Sequence, residues 1–295
     1  MFRSIATRRI TQYLAGGAMA ALVSAGVVYA QALPTSLSAD APPVSIKDLA
    51  PDRFTAWVPD RPTGDDYLPP PSGPGPVVSI KDPPYVPNGQ GQPTYRIADT
   101  SNPILQPWAV AQMEKANDDV KAGKVPYITR ERCWPAGVPG FTVYTRVQAI
   151  HFYQKAKEIT IINELNTQVR HIYMDVPHSQ DSGHTWYGES VGHYEGDELV
   201  VDTIGLNDKT FVDNYRTPHT DKIHVVERWK LLDGGKTLQA SVTVEDPGAF
   251  NMPWTGVQRW RRIERELVEN LCEPSNVAFF GYDVVPIPEA KKPDF

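Results

Sequence analysis

Four ionisable side chains fall where strand alternation aims them at an apolar face, and their types suit acid–base or anion chemistry. In residues 237–246 the apolar face is Leu238, Ala240, Val242 and Val244, and Asp246 is the next residue on it. In 222–232 Glu227 sits among Ile223, Val225, Trp229 and Leu231. Asp202 lies between Val200 and Ile204, and Arg170 shares a face with Ile172 and Met174. A buried charge left alone is too costly to keep, so such groups must be paired, neutralised or hydrogen-bonded. Three carboxylates and an arginine converging inside one barrel would either lock the sheet's register or build a site. In the second case His219, after Pro218 in the loop 205–221, is the acid or base. Asp202 or Glu227 then orients or shares its proton, and Arg170 stabilises an anion.

Other spacings are weaker. Gly188-Glu189-Ser190-Val191-Gly192 matches G-x-S-x-G, and Asp202, Asp213 and His219 follow in the order of a hydrolase triad. That motif works where a strand turns sharply into a helix. Here Ser190 is followed by Gly192, Tyr194 and a turn into another strand, so the glycines read as a tight bend or barrel kink. His178, Asp181 and His184 form H-x-x-D-x-x-H with His193 nearby, a spacing that matches no common metal signature; no metal site and no cofactor are expected. Trp186, Tyr187, Tyr194, Tyr215, Phe250, Trp254 and Trp260 cluster around the same segments. They line a pocket for a planar or apolar ligand, or they fill the core.

The elements that must hold these groups are short β-branched and aromatic runs at 146–153, 158–165, 168–174, 189–194, 198–204, 222–232, 237–245, 255–263 and 266–271. Asn166-Thr167, Glu195-Gly196-Asp197 and Asp233-Gly234-Gly235 read as hairpin turns. No helix of crossover length separates the runs, so a mainly β fold is predicted: an antiparallel barrel or sandwich of lipocalin-like layout. One helix is predicted before it at 104–122, with Ala109, Met113, Ala116 and Val120 on one face and Gly123 as its C-cap. Residues 31–100 form a proline-rich extended leader in which Val44-Ser45-Ile46-Lys47-Asp48 recurs as Val78-Ser79-Ile80-Lys81-Asp82. The two copies read as edge-docking strands, with Phe54, Trp57, Tyr67 and Tyr85 as anchors. The helix and barrel occupy 101–272, and 273–295 is a tail.

Residues 1–30 carry Arg3, Arg8 and Arg9 without an acid, then an apolar, small-residue run ending in an A-x-A pattern, the layout of a secretion signal. Its removal lowers the formal net charge of −6 by three more units, to −9. Nucleic-acid partners and stable membrane insertion are therefore not expected. In a periplasmic or extracellular setting Cys133 and Cys272, the two cysteines, read as a disulfide closing a long loop.

The stretch between these cysteines resembles a large group of secreted bacterial proteins. The matching pieces are Cys133-Trp134-Pro135-Ala136-Gly137-Val138-Pro139, Arg170-His171-Ile172-Tyr173-Met174-Asp175, Trp186 to Gly192, Glu195 to Thr203, Pro218-His219-Thr220, Glu227-Arg228, Asp246-Pro247 with Pro253-Trp254, and Cys272-Glu273. The resemblance covers about half the chain. It implies a shared fold and puts Arg170, Asp202, His219, Glu227 and Asp246 inside recurring motifs, but implies no activity. One departure is Val176-Pro177, where the group has Gly-Arg. The function expected is an exported barrel that binds a small apolar or aromatic molecule through Trp186, Tyr187, Tyr194 and Trp254. The alternatives are a periplasmic hydrolase, lyase or isomerase built on His219, and an envelope interaction module that uses the repeated segments.

Overall fold

Nine strands close into one barrel in chain order: β1 (Thr55–Pro59), β2 (Ile150–Lys155), β3 (Glu158–Asn163), β4 (Gln168–Met174), β5 (Glu189–Glu195), β6 (Glu198–Ile204), β7 (His224–Leu232), β8 (Thr237–Glu245) and β9 (Trp254–Glu264). The structure is a computed structural model that describes residues 43–61, 66–80, 97–122, 124, 129, 133–143, 148–270 and 272. A closed ring with an odd number of strands cannot alternate in direction all the way round, so one neighbouring pair must run parallel. That pair is β4 and β5, in register only at Tyr173 with Val191 and Met174 with Gly192. The other eight interfaces are antiparallel.

Eight of the nine predicted strands form. The ninth, 266–271, does not: described residues 265–270 are irregular, because β1 occupies the place beside β9. Thr55 to Pro59 pairs with Glu264 to Trp260, and Trp57 also faces Ile150 of β2. The proline-rich segment therefore supplies the stave that closes the barrel rather than only wrapping it. Trp57 and Tyr67 are buried as anchors, whereas Phe54 is exposed. The two repeated pentapeptides part company. The first folds as a tight turn, Ser45 and Asp48 exchanging backbone hydrogen bonds, and the second makes a single bridge from Ser79 to Ala98. Neither is an open edge strand among the described residues. Residues 1–30, Gly123, Tyr85 and 273–295, which the sequence assigns to a signal, a cap, an anchor and a tail, lie outside the described residues.

The connections divide the barrel into unlike ends. At one end hairpins turn tightly at 156–157, 196–197 and 233–236, with Gly196, Asp233 and Gly234 at positive φ. At the other lie the loops 205–223 and 246–253 and the long passage 60–149, which carries α1 (Pro107–Lys121) and α2 (Gly140–Val143). Helix α1 starts with Pro107 in its first turn, where no backbone N–H is missed, and buries Ala109, Met113, Asn117 and Val120. Asn117 takes the place expected of Ala116, because its amide makes two hydrogen bonds to the Ala98 backbone, at 2.9 and 3.0 Å. Cys133 and Cys272 are joined, closing a separation of 139 residues. No helix among the described residues is long and apolar enough to cross a membrane.

Inside, the aromatic residues pack on one another. Trp229 stacks on Trp260 at 4.9 Å and meets Phe152 edge-on at 5.8 Å. Gly256 is required where Tyr67 enters from the long passage, since a Cβ there would lie 2.7 Å from the tyrosine ring.

Candidate functional site

The parallel seam is where the barrel's buried charge sits. Above Tyr173 and Met174 the β4–β5 register ends, and the Arg170 side chain spans the gap toward the long-loop end. Its Nε and Nη2 donate to Ser190 Oγ on β5 at 3.2 and 3.1 Å, and Nη2 also donates to Thr203 Oγ1 on β6 at 2.9 Å. Nη2 reaches Glu227 Oε2 on β7 at 2.5 Å. Four consecutive strands thus contribute one group each. Arg170 and Glu227 are 1% and 0% exposed, so the pair lies in a low dielectric where both charges need their partners. Tyr187 closes the same seam from above, its hydroxyl donating to Gln168 Oε1 at 2.7 Å while its ring meets Phe141 edge-on.

Two atoms of the ion pair remain unengaged: Arg170 Nη1 and Glu227 Oε1 have no partner among the described residues. On the same inward face the indole N–H groups of Trp229, Trp254 and Trp260 and the Gln258 Nε2 are buried in the same condition. Donors therefore outnumber the lone acceptor, and a group that fitted here would carry acceptors. Such buried polar atoms are uncommon in folded proteins and ask for a reason.

A second buried group adjoins the first through Tyr67, whose hydroxyl donates to Val212 O at 3.0 Å. Burial, then the charges of Asp213, Asp66 and Glu227, push this phenol well above its usual range. Asp213 accepts from the backbone N–H of Tyr215 and Thr217 and from Thr217 Oγ1 at 2.7 Å. Burial first, and Asp66 second, push its carboxyl up to about 7.

The expected cluster of Arg170, Asp202, Glu227 and Asp246 is thus only half formed. Arg170 and Glu227 meet, whereas Asp202 points out of the barrel and Asp246 belongs to the loops. On β6 the inward residues are Leu199, Val201 and Thr203, so Val200, Asp202 and Ile204 make up the outer face. Both faces are apolar enough to have been chosen, which is why alternation alone misplaced Asp202. Asp246 Oδ1 accepts from Thr220 Oγ1 at 2.7 Å and Gly248 N at 2.9 Å, pinning the two long loops together. His219 is 3% exposed, its Nδ1 donating to Thr220 O at 3.0 Å and its Nε2 accepting from Thr210 Oγ1 at 2.8 Å. Burial holds its pKa below the usual histidine value, in keeping with a neutral ring fixed between two loop atoms.

Ser190 faces Arg170 and Thr203, not a histidine, so no nucleophile elbow exists. Gly188 is there because a Cβ would lie 2.3 Å from Ile204 O, at a φ of +64°. The aromatic residues separate as well. Trp254 is buried at the long-loop end between Tyr67 and Phe250, at 5.5 and 5.8 Å. Trp186 leans on the exposed Trp134, and Tyr194 accepts from Gln154 near the tight-turn end.

Sequence reasoning named His178 and Asp202 separately but not the constellation that joins them. On the outer wall His178 Nδ1 faces Glu189 Oε2 at 3.0 Å and its Nε2 faces Asp202 Oδ1 at 2.9 Å. His224 Nε2 approaches the same Asp202 oxygen at 3.0 Å. The signal was present only in the register: Asp202 pairs with Val226, which puts His224 one outward step along β7.

The fold and interior define a nine-stranded barrel with a buried arginine–glutamate centre beneath its long-loop end. Compared with known protein families and with curated proteins, the chain finds no match.

Proposed function

We propose that the chain is an exported protein that binds a small molecule with an apolar or aromatic body and an acceptor-bearing head group such as a carboxylate. The observation that carries this reading is the Arg170–Glu227 centre, whose Nη1 and Oε1 stay unpartnered among the described residues on an inward face that also carries buried, unpartnered indole N–H groups. A carboxylate would accept from Arg170 Nη1 and neighbouring indoles, a charge-assisted contact in a low dielectric. In this reading Trp254, at the long-loop end, and Tyr187, over the seam, contact the body of the ligand. Trp186 and Tyr194, also read as ligand contacts, lie farther from this centre in the fold. Export is supported by the disulfide, a bond typical of oxidising compartments, and by the amino-terminal signal pattern.

The test is tryptophan fluorescence of the mature protein titrated with benzoate, phenylacetate and cinnamate, and with their neutral amides. Saturable quenching by a carboxylate, weakened at least about 10-fold in Arg170→Met but not in Glu227→Gln, which removes a competing anion, is the expected result. No saturable response to any of them, with the wild-type fold intact, contradicts the reading.

A catalytic alternative draws on one observation, the Asp213 carboxyl that exchanges its proton near neutral pH beside Tyr67. This is a different group from His219, whose ring is committed to Thr210 and Thr220. Loss of turnover in Asp213→Asn with ligand binding retained would establish it.

A further inference from the structure

Two segments of the chain meet over the long-loop end of the barrel, and two buried carboxyl groups lie at their joint. The long passage brings Asp66 and Tyr67, and the loop 205–223 brings Asp213. Asp66 accepts from the Asn214 backbone N–H and, at 2.9 Å, from Asn214 Nδ2. Tyr67 donates to Val212 O, and its ring meets Trp254 edge-on at 5.5 Å. Asp213 gathers the N–H groups of Tyr215 and Thr217 and the Thr217 hydroxyl. The turn 212–217 is thereby folded back on itself, with Val212 N–H donating to Thr217 O at 3.1 Å.

Charged groups stand round this joint on every element packed against it. Arg61 pairs with Asp66 at 3.3 Å and reaches the Thr142 and Val143 carbonyls, and Glu227 beneath is held by Arg170. Arg216, in the turn itself, donates to Asn214 O at 3.4 Å. Asp213 meets only neutral donors among the described residues, and the charge of Asp66 opposes its ionisation. Such a carboxyl keeps its proton while the joint is closed and loses it when the joint opens to water. We propose that the joint between Asp66–Tyr67 and the turn 212–217 is a proton-operated latch over the mouth of the barrel, closed while Asp213 is protonated and loosened once it ionises. As regulation of access to Arg170 and Glu227 it rests on reading that centre as a binding site; the latch itself needs no ligand.

The direction follows from the two states. In the closed joint burial and Asp66 raise the Asp213 carboxyl from 3.8 to about 7, and in the open joint it returns to its ordinary value. Opening therefore releases one proton between about pH 4 and 7, so the open-to-closed ratio rises up to about tenfold per pH unit across that window and levels off above it. Neighbouring groups do not give this slope. Burial holds His219, in the same loop, below the usual histidine value, so its protonation in acid loosens the closed form, the opposite sign. The Tyr67 phenol is held well above its usual range and stays neutral throughout. Tyr67 couples the latch to the interior, because the residue that closes on Val212 also packs on Trp254.

The experiment is native-state hydrogen exchange of the mature protein without ligand, followed in proton–nitrogen spectra from pH 5 to 8 and corrected for the intrinsic rate at each pH. The Asn214, Tyr215 and Thr217 amides and the Trp254 indole should exchange through one local opening, with less protection than the amides of β7 and β8. That protection should fall about 10-fold per pH unit from 5 to 7 and stay level from 7 to 8. Asp213→Asn, whose amide donates to Thr217 Oγ1 as the protonated carboxyl does, should keep the protection high throughout. Asp66→Asn, which removes the opposing charge, should move the break to lower pH, and it carries the test if Asp213→Asn does not fold. Loop amides and a Trp254 indole as protected as the barrel strands, protection that does not change with pH, or an unchanged slope in the folded variants overturns the proposal. Absence of quenching by benzoate and its relatives bears on the interior reading alone and leaves this exchange as it is.

Discussion

Two carboxylate-centred clusters share β6 and β7 and differ only in which way their residues face. Glu227 points in, where Arg170 holds it in a space that excludes water; Asp202 points out, where two histidines approach it at the rim of solvent. The two-residue period of a strand is enough to separate them. Inside, desolvation makes each partner indispensable and the geometry fixed. Outside, screening makes each contact weak.

The largest effect that tests this difference is loss of one interior partner. Arg170→Met leaves Glu227 buried and uncompensated, and urea denaturation should show a loss of about 3–5 kcal/mol. Arg170→Met combined with Glu227→Leu should recover most of that loss, because an apolar pair of similar volume needs no charge partner. A single variant that lost less than about 1 kcal/mol would erase the distinction between the clusters.

Next comes Asp213, whose folded carboxyl is raised from 3.8 to about 7. The folded state keeps a proton that the unfolded chain releases, so this group's contribution is fully present below about pH 4. It is lost as pH rises toward 7, and is constant above that. The loss is on the order of 4 kcal/mol. Asp213→Asn, which can still accept from Tyr215 and Thr217, should flatten the stability profile across that window. An unchanged slope would mean the carboxyl titrates normally.

The smallest effect belongs to the outer wall. Asp202→Asn should change stability by less than about 1 kcal/mol, measured by the same denaturation. A loss comparable to that of Arg170→Met would show that the outer cluster carries structural weight.

The sequence made the barrel legible because its hairpins put polar turns between alternating runs, and period 2 survives in β2 to β9. It did not reveal β1, since Thr55-Ala56-Trp57-Val58-Pro59 is too short for alternation to register and is set among prolines. Residues 266–271 read as a strand in its place, but a strand needs a neighbour, and β9 already has β1 and β8. Within the site, Arg170 and Glu227 were readable because each interrupts an apolar face. Asp202 was not, because Val200 and Ile204 on one side of β6 match Leu199 and Val201 on the other. His178 and Glu189 come from a loop and a strand start, and only the register of three strands brings them to His224.

The most direct test of the interior reading is a proton–nitrogen spectrum of the mature protein with labelled tryptophan, titrated with the carboxylate that quenches its fluorescence. The account predicts that the indole N–H signals of Trp229 and Trp254 move downfield as they gain an acceptor, while the ring signals of His178 and His224 stay in place. Indole signals that do not move at saturating ligand, or that move equally in Arg170→Met, would contradict it.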